Sequence, residues 1–149
     1  MTFAYQTSVG HAANQNNTEL LSGICAPASH TAEGRIGDDL TNRQSRFYCD
    51  AAVITFFDPV SRHLMVQFAQ KASHHSEILG FAGFLDRDGI MMRLEHVYFS
   101  AGHPITVSDG ACKFFFTRGR MTGIFCGAYV DETGRRTVAS VGFNPAPGQ

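Results

Sequence analysis

Between Phe47 and Phe143 the chain is an unbroken series of short, strand-like apolar segments separated by tight-turn sequences. One clear example is Asp86-Arg87-Asp88-Gly89, between the apolar segments Ile78–Leu85 and Ile90–Phe99. An Asp-Gly step between two such segments favours a β-hairpin. The whole series predicts an antiparallel meander of about seven or eight strands, near the number at which a small barrel closes. We therefore predict an all-β fold.

Glycines inside the predicted strands support closure of the sheet. They indicate bulges, bends or close backbone approaches, which a sheet needs when it curls. They are Gly80, Gly83, Gly123, Gly127 and Gly142. In its architecture the pattern resembles a calycin-type β-barrel, a resemblance that carries no residue roles across. Such a barrel implies an interior able to hold a small molecule.

The first 46 residues differ from the rest, because Ser, Thr, Asn, Gln, Gly and Ala dominate them. Short helical turns are expected at Thr18–Leu21 and Asp38–Gln44, with one extra strand near Ile24–His30. We therefore divide the chain into a covering segment at 1–46, poorly structured or short-helical, and a barrel domain at 47–149. The alternative fold is an α+β cone, in which N-terminal helices cover a curved sheet.

Several predicted strands are apolar on both faces. Val53 and Phe57 oppose Ile54 and Phe56 along one strand, since alternate residues of a strand point to opposite sides. A single barrel with a solvated exterior would alternate more cleanly between apolar and polar residues. Either the N-terminal segment or a second subunit must cover one face, and we predict a homodimer.

Composition excludes some partners. A formal net charge of −1, with scattered basic residues, argues against binding to nucleic acid, which requires clustered Lys and Arg. No apolar stretch is long enough to span a membrane, and the N-terminus lacks the pattern of a signal peptide. These features predict a cytoplasmic protein that binds neither nucleic acid nor membranes.

The four cysteines are interpreted as buried free thiols. None forms a Cys-x-x-Cys pair or shares a metal-like spacing with His, and three lie inside predicted strands. They are Cys25, Cys49, Cys112 and Cys126. In an exported protein, a bridge between Cys112 and Cys126 across a hairpin would be the alternative.

One predicted strand, Ile90–Phe99, carries the most suggestive polar cluster. Its functional groups are Arg93, Glu95, His96 and Tyr98. Strict alternation places His96 and Tyr98 on the face that carries Met92 and Leu94, and therefore inward. In an apolar pocket a His or Glu has its pKa moved toward neutrality, which suits proton transfer. We predict His96, Glu95 and Tyr98 as catalytic residues and Arg93 as a substrate-binding residue.

Three further residues are predicted to contact substrate: Tyr129, Arg120 and, near the barrel rim, His103. We also considered a metal site at His74, His75 and Glu77. Adjacent residues of a strand face apart, and the surrounding serines indicate a solvated loop, so we predict no metal.

No motif names a reaction. The chain lacks Gly-x-Ser-x-Gly, a P-loop, a Rossmann glycine pattern, the Nudix helix and the His-x-His of cupins. We predict a barrel that binds a hydrophobic or aromatic small molecule. If it is an enzyme, we expect a cofactor-free isomerase, cyclase or lyase that uses acid–base chemistry. The alternative is a protein-interaction module whose interior is filled by its own side chains.

Overall fold

The computed structural model describes residues 17–58, 60–70, 78–99 and 102–148. Within these ranges the protein is all-β, with no α-helix and a single-turn 3-10 helix at Thr41–Arg43. The strands are β1 Asn17–Cys25, β2 His30–Arg35, β3 Ser45–Arg46, β4 Ala51–Asp58, β5 His63–Ala69, β6 Ile78–Leu85, β7 Met91–Tyr98, β8 Ile105–Thr106, β9 Asp109–Thr117, β10 Arg120–Glu132 and β11 Arg135–Pro145. The predicted fold class is confirmed, and the α+β cone is wrong. No helix in the described ranges is long and apolar enough to cross a membrane.

Eight of the strands form a closed antiparallel barrel. Their order around the barrel is β1, β4, β5, β6, β7, β9, β10 and β11. The barrel closes because β1 pairs with β4 along Asn17–Ser22 and with β11 through Gly23–Cys25. From β4 to β11 each barrel strand pairs with the next one in sequence, as expected for a meander. The short strand β8 pairs with His96 and Val97, near the C-terminal end of β7.

Strand β2 continues the path of β1 after a corner at residues 26–29. Both strands run antiparallel to β11: β1 pairs with its last residues, and β2 with residues 135–140. Strand β3 then pairs with β2, so that a small flap extends the wall at this end. Strand β1 belongs to the segment predicted from the sequence to cover the barrel, and in the structure it forms part of the barrel wall. The helical turn expected at Thr18–Leu21 is wrong.

The middle of the barrel is filled with apolar side chains. Phe47, Phe68, Phe81 and Phe143 are each at most 2% exposed. The ring of Phe68 packs between those of Phe81 and Phe143, with centroid separations of 5.9 Å to both. A tightly packed interior leaves no room for a ligand at mid-height. Any cavity must lie toward the ends of the barrel.

All four cysteines are paired in disulfides, so the prediction of free thiols is wrong. Cys25 at the end of β1 is bonded to Cys49, and Cys112 on β9 is bonded to Cys126 on β10. Cys112 and Cys126 are direct cross-strand partners in the β9–β10 register. The hairpin bridge considered as the alternative is therefore present. The closed sheet brings the partners together, and sequence spacing alone does not show this.

Candidate functional site

The polar cluster on β7 lies on the outside of the barrel. Between the pairs Gly83–Leu94 and Ala82–His96 the register shifts by one residue, so Glu95 is an extra residue in a β-bulge. A bulge resets the alternation of side chains. Leu94 is buried before it and Val97 after it, at 5% and 0% exposure. The inward placement of His96 and Tyr98 is therefore wrong.

These outward side chains cover the neighbouring strand and are not among the residues that line the cavities described below. A Cβ added to Gly80 would lie 3.3 Å from the Cβ of Tyr98, which shows how closely Tyr98 packs over β6. His96 is paired with Ala82 on one side and Thr106 on the other. Arg93 and Glu95 are exposed. The catalytic and binding roles assigned to these residues stay predictions.

The three other candidate residues lie on different parts of the barrel. Tyr129 is on the outer face of β10, where the guanidinium of Arg136 stacks 4.0 Å from its ring centroid. His103 is exposed on the link before β8. Arg120 begins β10 and is the one candidate that lines a cavity described below. The structure therefore does not gather the predicted residues into one site.

Arg136 is held between Tyr129 and Asp131. Its Nε and Nη2 atoms donate hydrogen bonds of 2.8 and 2.9 Å to the two carboxylate oxygens of Asp131. These hydrogen bonds lower the pKa of Asp131 and raise that of Arg136. The carboxylate of Asp131 neutralises the charge of Arg136, and the ring of Tyr129 covers its guanidinium. The charged groups of this cluster are therefore already engaged with one another. The cluster stabilises the β10–β11 hairpin.

A cavity of about 580 Å³ opens at the end of the barrel that carries the β4–β5, β6–β7 and β9–β10 turns. We call this end the hairpin end. Phe56, Leu85, Phe116 and Met121 supply its apolar wall, each from a different strand. This is a common size for a small-molecule site, for which volumes of about 300–1,000 Å³ are usual.

An inner recess of about 60 Å³ continues this cavity toward the core. Among the described residues that line the recess, Glu19 is the only ionisable one. Its apolar lining includes Ile54, Leu64 and Phe114. Glu19 points inward because β1 alternates: Leu21, two residues on, is buried in the core.

Two other charged groups of the cavity, Arg62 and Asp88, are engaged by the turns, whereas Arg120 lines the cavity as a further cation. Arg62 donates hydrogen bonds from Nε to the carbonyl of Leu85 at 3.1 Å and from Nη2 to that of Asp86 at 2.7 Å. The carboxylate of Asp88 accepts a bond of 2.9 Å from the amide of Ile90. Glu19, in contrast, makes no hydrogen bond or ion pair with any side chain in the described ranges. Its carboxylate is thus available to a ligand.

Sequence reasoning missed Glu19 because it placed the residue at the start of a helix. The same four residues fit a strand equally well, because Glu19 and Leu21 would then share one face, and Thr18 and Leu20 the other.

No group of three or more His, Cys, Asp or Glu residues within the described ranges is arranged to hold a metal ion. The loop with His74, His75 and Glu77, considered above, lies outside those ranges. Comparison with known proteins adds no candidate, since no family model, curated protein or solved structure matches the chain.

Proposed function

We propose that the hairpin end binds a small molecule with an apolar body and a cationic or hydrogen-bond-donating head group. The observation that carries the proposal is the position of Glu19, a carboxylate that has no partner among the described residues and lies in an otherwise apolar recess. Desolvating such a group is costly unless a ligand supplies its hydrogen bonds. Phe56 and Phe116 at the same cavity would pack against the ligand body, and their ring faces favour a cation.

Matched alkyl probes test this function. Octylammonium, octanol and octanoate share one chain and differ in the head group, so calorimetric titration separates the contribution of charge from that of burial. We expect octylammonium to bind most tightly. Its affinity should fall about tenfold or more in Glu19→Gln, since a hydrogen bond to a charged group contributes about 1.5–3 kcal/mol.

Glu95→Gln is the control, because this carboxylate is exposed on the outer face of β7. It should leave the affinity unchanged. Equal binding of octanoate and octylammonium, or an unaltered affinity in Glu19→Gln, would contradict the proposal.

Acid–base catalysis in this cavity would pass through Glu19. The isomerase, cyclase or lyase reaction expected from the sequence requires a group that takes a proton from the bound molecule, and Glu19 is the carboxylate in the recess. The comparison is between Glu19→Gln and His96→Ala, each assayed for turnover of molecules that bind to the hairpin end. Loss of turnover in Glu19→Gln alone supports Glu19, whereas loss in His96→Ala alone supports the original prediction.

A second candidate function, protein interaction, is favoured by the outer surface. Phe115 on β9 and Phe125 on β10 are 43% and 48% exposed, and Ile24 on β1 is 63% exposed. Exposed apolar side chains of this size on one side of a barrel are typical of an interface. The homodimer expected from the sequence stays our proposal. Native mass spectrometry should find a dimer, and Phe125→Asp should convert it to a monomer.

We place the protein in an oxidising compartment and not in the cytoplasm expected from the sequence. All four cysteines are paired, and each is at most 4% exposed. Buried structural disulfides form where thiols are not kept reduced. Thiol labelling of the denatured protein, isolated from its own host without reductant, should find no free cysteine. Four labelled cysteines would contradict this placement.

A further inference from the structure

We propose that the opposite end of the barrel is a second, separate binding site, which takes a polyhydroxylated ligand such as a sugar unit. A cavity of about 710 Å³ opens there beside β2 and β3, and we call it the flap end. Its described lining differs in kind from that of the hairpin end, because three hydroxyl side chains take part. They are Thr31, Ser45 and Thr137.

The register of the strands shows that these hydroxyls share the inner face. Thr31 is paired with Ser45 on one side and with Ala139 on the other. Paired residues point to the same side of a sheet, and Ala139 is fully buried in the core. Thr137 lies two residues before Ala139 and therefore has the same orientation.

Two carboxylates lie on the same wall. Glu33 is paired with Thr137, and Glu132 lies two residues after the buried Val130. Glu33 forms an ion pair with Arg135, whose Nη2 atom is 3.9 Å away with both side chains more than half exposed. A solvated ion pair at this distance holds its partners weakly. The carboxylate of Glu33 therefore remains able to accept hydrogen bonds from a ligand hydroxyl.

The floor of the flap end is apolar. Phe47, Leu79, Phe99 and Ile105 face the cavity below the polar wall. A sugar ring has the complementary surface, since its C–H groups pack on apolar and aromatic side chains while its hydroxyls need both donors and acceptors. Hydroxyl side chains supply both roles, and carboxylates supply strong acceptors. The wall also contains Arg43, so charges of both signs are present and a neutral polar ligand fits best.

The two ends of the barrel are independent sites. Their described linings share no residue. Between them lies the packed core, in which Phe68, Phe81 and Phe143 are at most 1% exposed. A ligand at one end therefore cannot reach the other through the interior, and each site can be tested while the other serves as its control.

Titration of the ¹⁵N-labelled protein with maltose, cellobiose and chitobiose tests the inference by NMR. We expect at least one disaccharide to shift the amide signals of Thr31, Glu33 and Thr137. Thr137→Val keeps the shape of the side chain and removes the hydroxyl, and Glu33→Gln removes the charge. Each should weaken binding about tenfold, the effect of one lost hydrogen bond to a neutral or charged partner.

Glu19→Gln at the hairpin end should leave disaccharide binding unchanged. Ser45→Ala is a second hydroxyl deletion on the exposed strand β3, so the test does not depend on the folding of one variant. Shifts confined to the hairpin end, or no shift with any of the three disaccharides at millimolar concentration, would overturn the inference. Octylammonium can then be added to the same samples. If it shifts the amide signals of the hairpin end, the proposed function holds even when no sugar binds at the flap end.

Discussion

At the scale of single residues, Gly83 shows how closely β6 and β7 approach. A Cβ built at Gly83 would collide with the backbone carbonyl oxygen of Arg93 and lie 2.8 Å from the Cα of Leu94. Neither backbone atom can move without breaking the strand pairing. We expect Gly83→Ala to lower the free energy of unfolding by at least about 2 kcal/mol, as overpacking in a core does.

Gly142→Ala is the matched control for this prediction. Among the described residues, its new Cβ would meet only the Cβ of Ala26, at 3.4 Å. Alanine also loses less backbone entropy on folding than glycine, so this variant should be neutral or slightly more stable. Urea denaturation of both variants measures the difference, and equal stabilities would contradict the close approach at Gly83.

The pair of Asp131 and Arg136 makes stability depend on pH. The hydrogen bonds from Arg136 hold the pKa of Asp131 below its ordinary value of 3.8. A carboxyl group whose pKa is lower in the folded state stabilises that state above the unfolded pKa. This contribution is lost as the pH falls below about 4 and passes the folded pKa. Arg136→Gln should therefore be less stable than the natural protein at pH 7, and the gap should narrow toward pH 2.

The measurement is urea denaturation at several pH values, with an NMR titration of the Asp131 carboxyl in parallel. Arg135→Gln is the control, since its guanidinium lies 3.9 Å from an exposed carboxylate and should make little difference. A gap that stays constant down to pH 2 would rule out Asp131 as the origin of the pH dependence.

At the scale of strands, the bulge in β7 decides which side chains face the core. Deleting Glu95 would make Leu94 and His96 consecutive, as their partners Gly83 and Ala82 already are, so the bulge would disappear while Val97 stays inward. We expect this deletion variant to fold. Deleting Arg93 is the control, because it removes a regularly paired residue and would turn the buried Leu94 outward. Circular dichroism and one-dimensional NMR distinguish these outcomes, and a Glu95 deletion as damaging as the Arg93 deletion would contradict the bulge.

The strands also show how far the sequence alone could lead. The bounds of β6 match the prediction, since its continuous apolar run is followed by an unmistakable turn. Strand β1 was missed because Asn17, Glu19 and Gly23 interrupt the apolar pattern. Glu19 is also the candidate binding residue. Its polar side chain gives β1 the proposed role and is one reason why the sequence did not predict this strand. The bulge at Glu95 follows from pairing with β6, and local sequence does not reveal it.

At the scale of the whole molecule, two disulfides stabilise the barrel. Cys25 and Cys49 are 24 residues apart in sequence, and Cys112 and Cys126 are 14 apart. Cross-links that close loops of this length stabilise a protein by about 3 kcal/mol each, chiefly by restricting the unfolded chain. We expect the double variants Cys25→Ala/Cys49→Ala and Cys112→Ala/Cys126→Ala each to lose about this much.

Urea denaturation of the oxidised protein and of the two double variants measures these losses. Loss of the Cys25–Cys49 bond, which closes the longer loop, should lower the free energy of unfolding slightly more than loss of the Cys112–Cys126 bond. Adding reductant should destabilise the natural protein and leave a variant without either pair unaffected. A loss below about 1 kcal/mol for both pairs would show that the disulfides contribute little to stability.

Closure of the barrel through β1 and β11 also bears on the time course of folding. Gly23 pairs with Pro145, and Cys25 with Phe143, so the first and last described strands must meet before either has its full set of partners. Contacts between such distant parts of a chain form late and slow the overall rate. On the ribosome, β4 to β7 can pair as they emerge, whereas β1 waits with one edge open until β11 has been synthesised. The nascent protein is thus most exposed to misassembly in the interval just before its last strand appears.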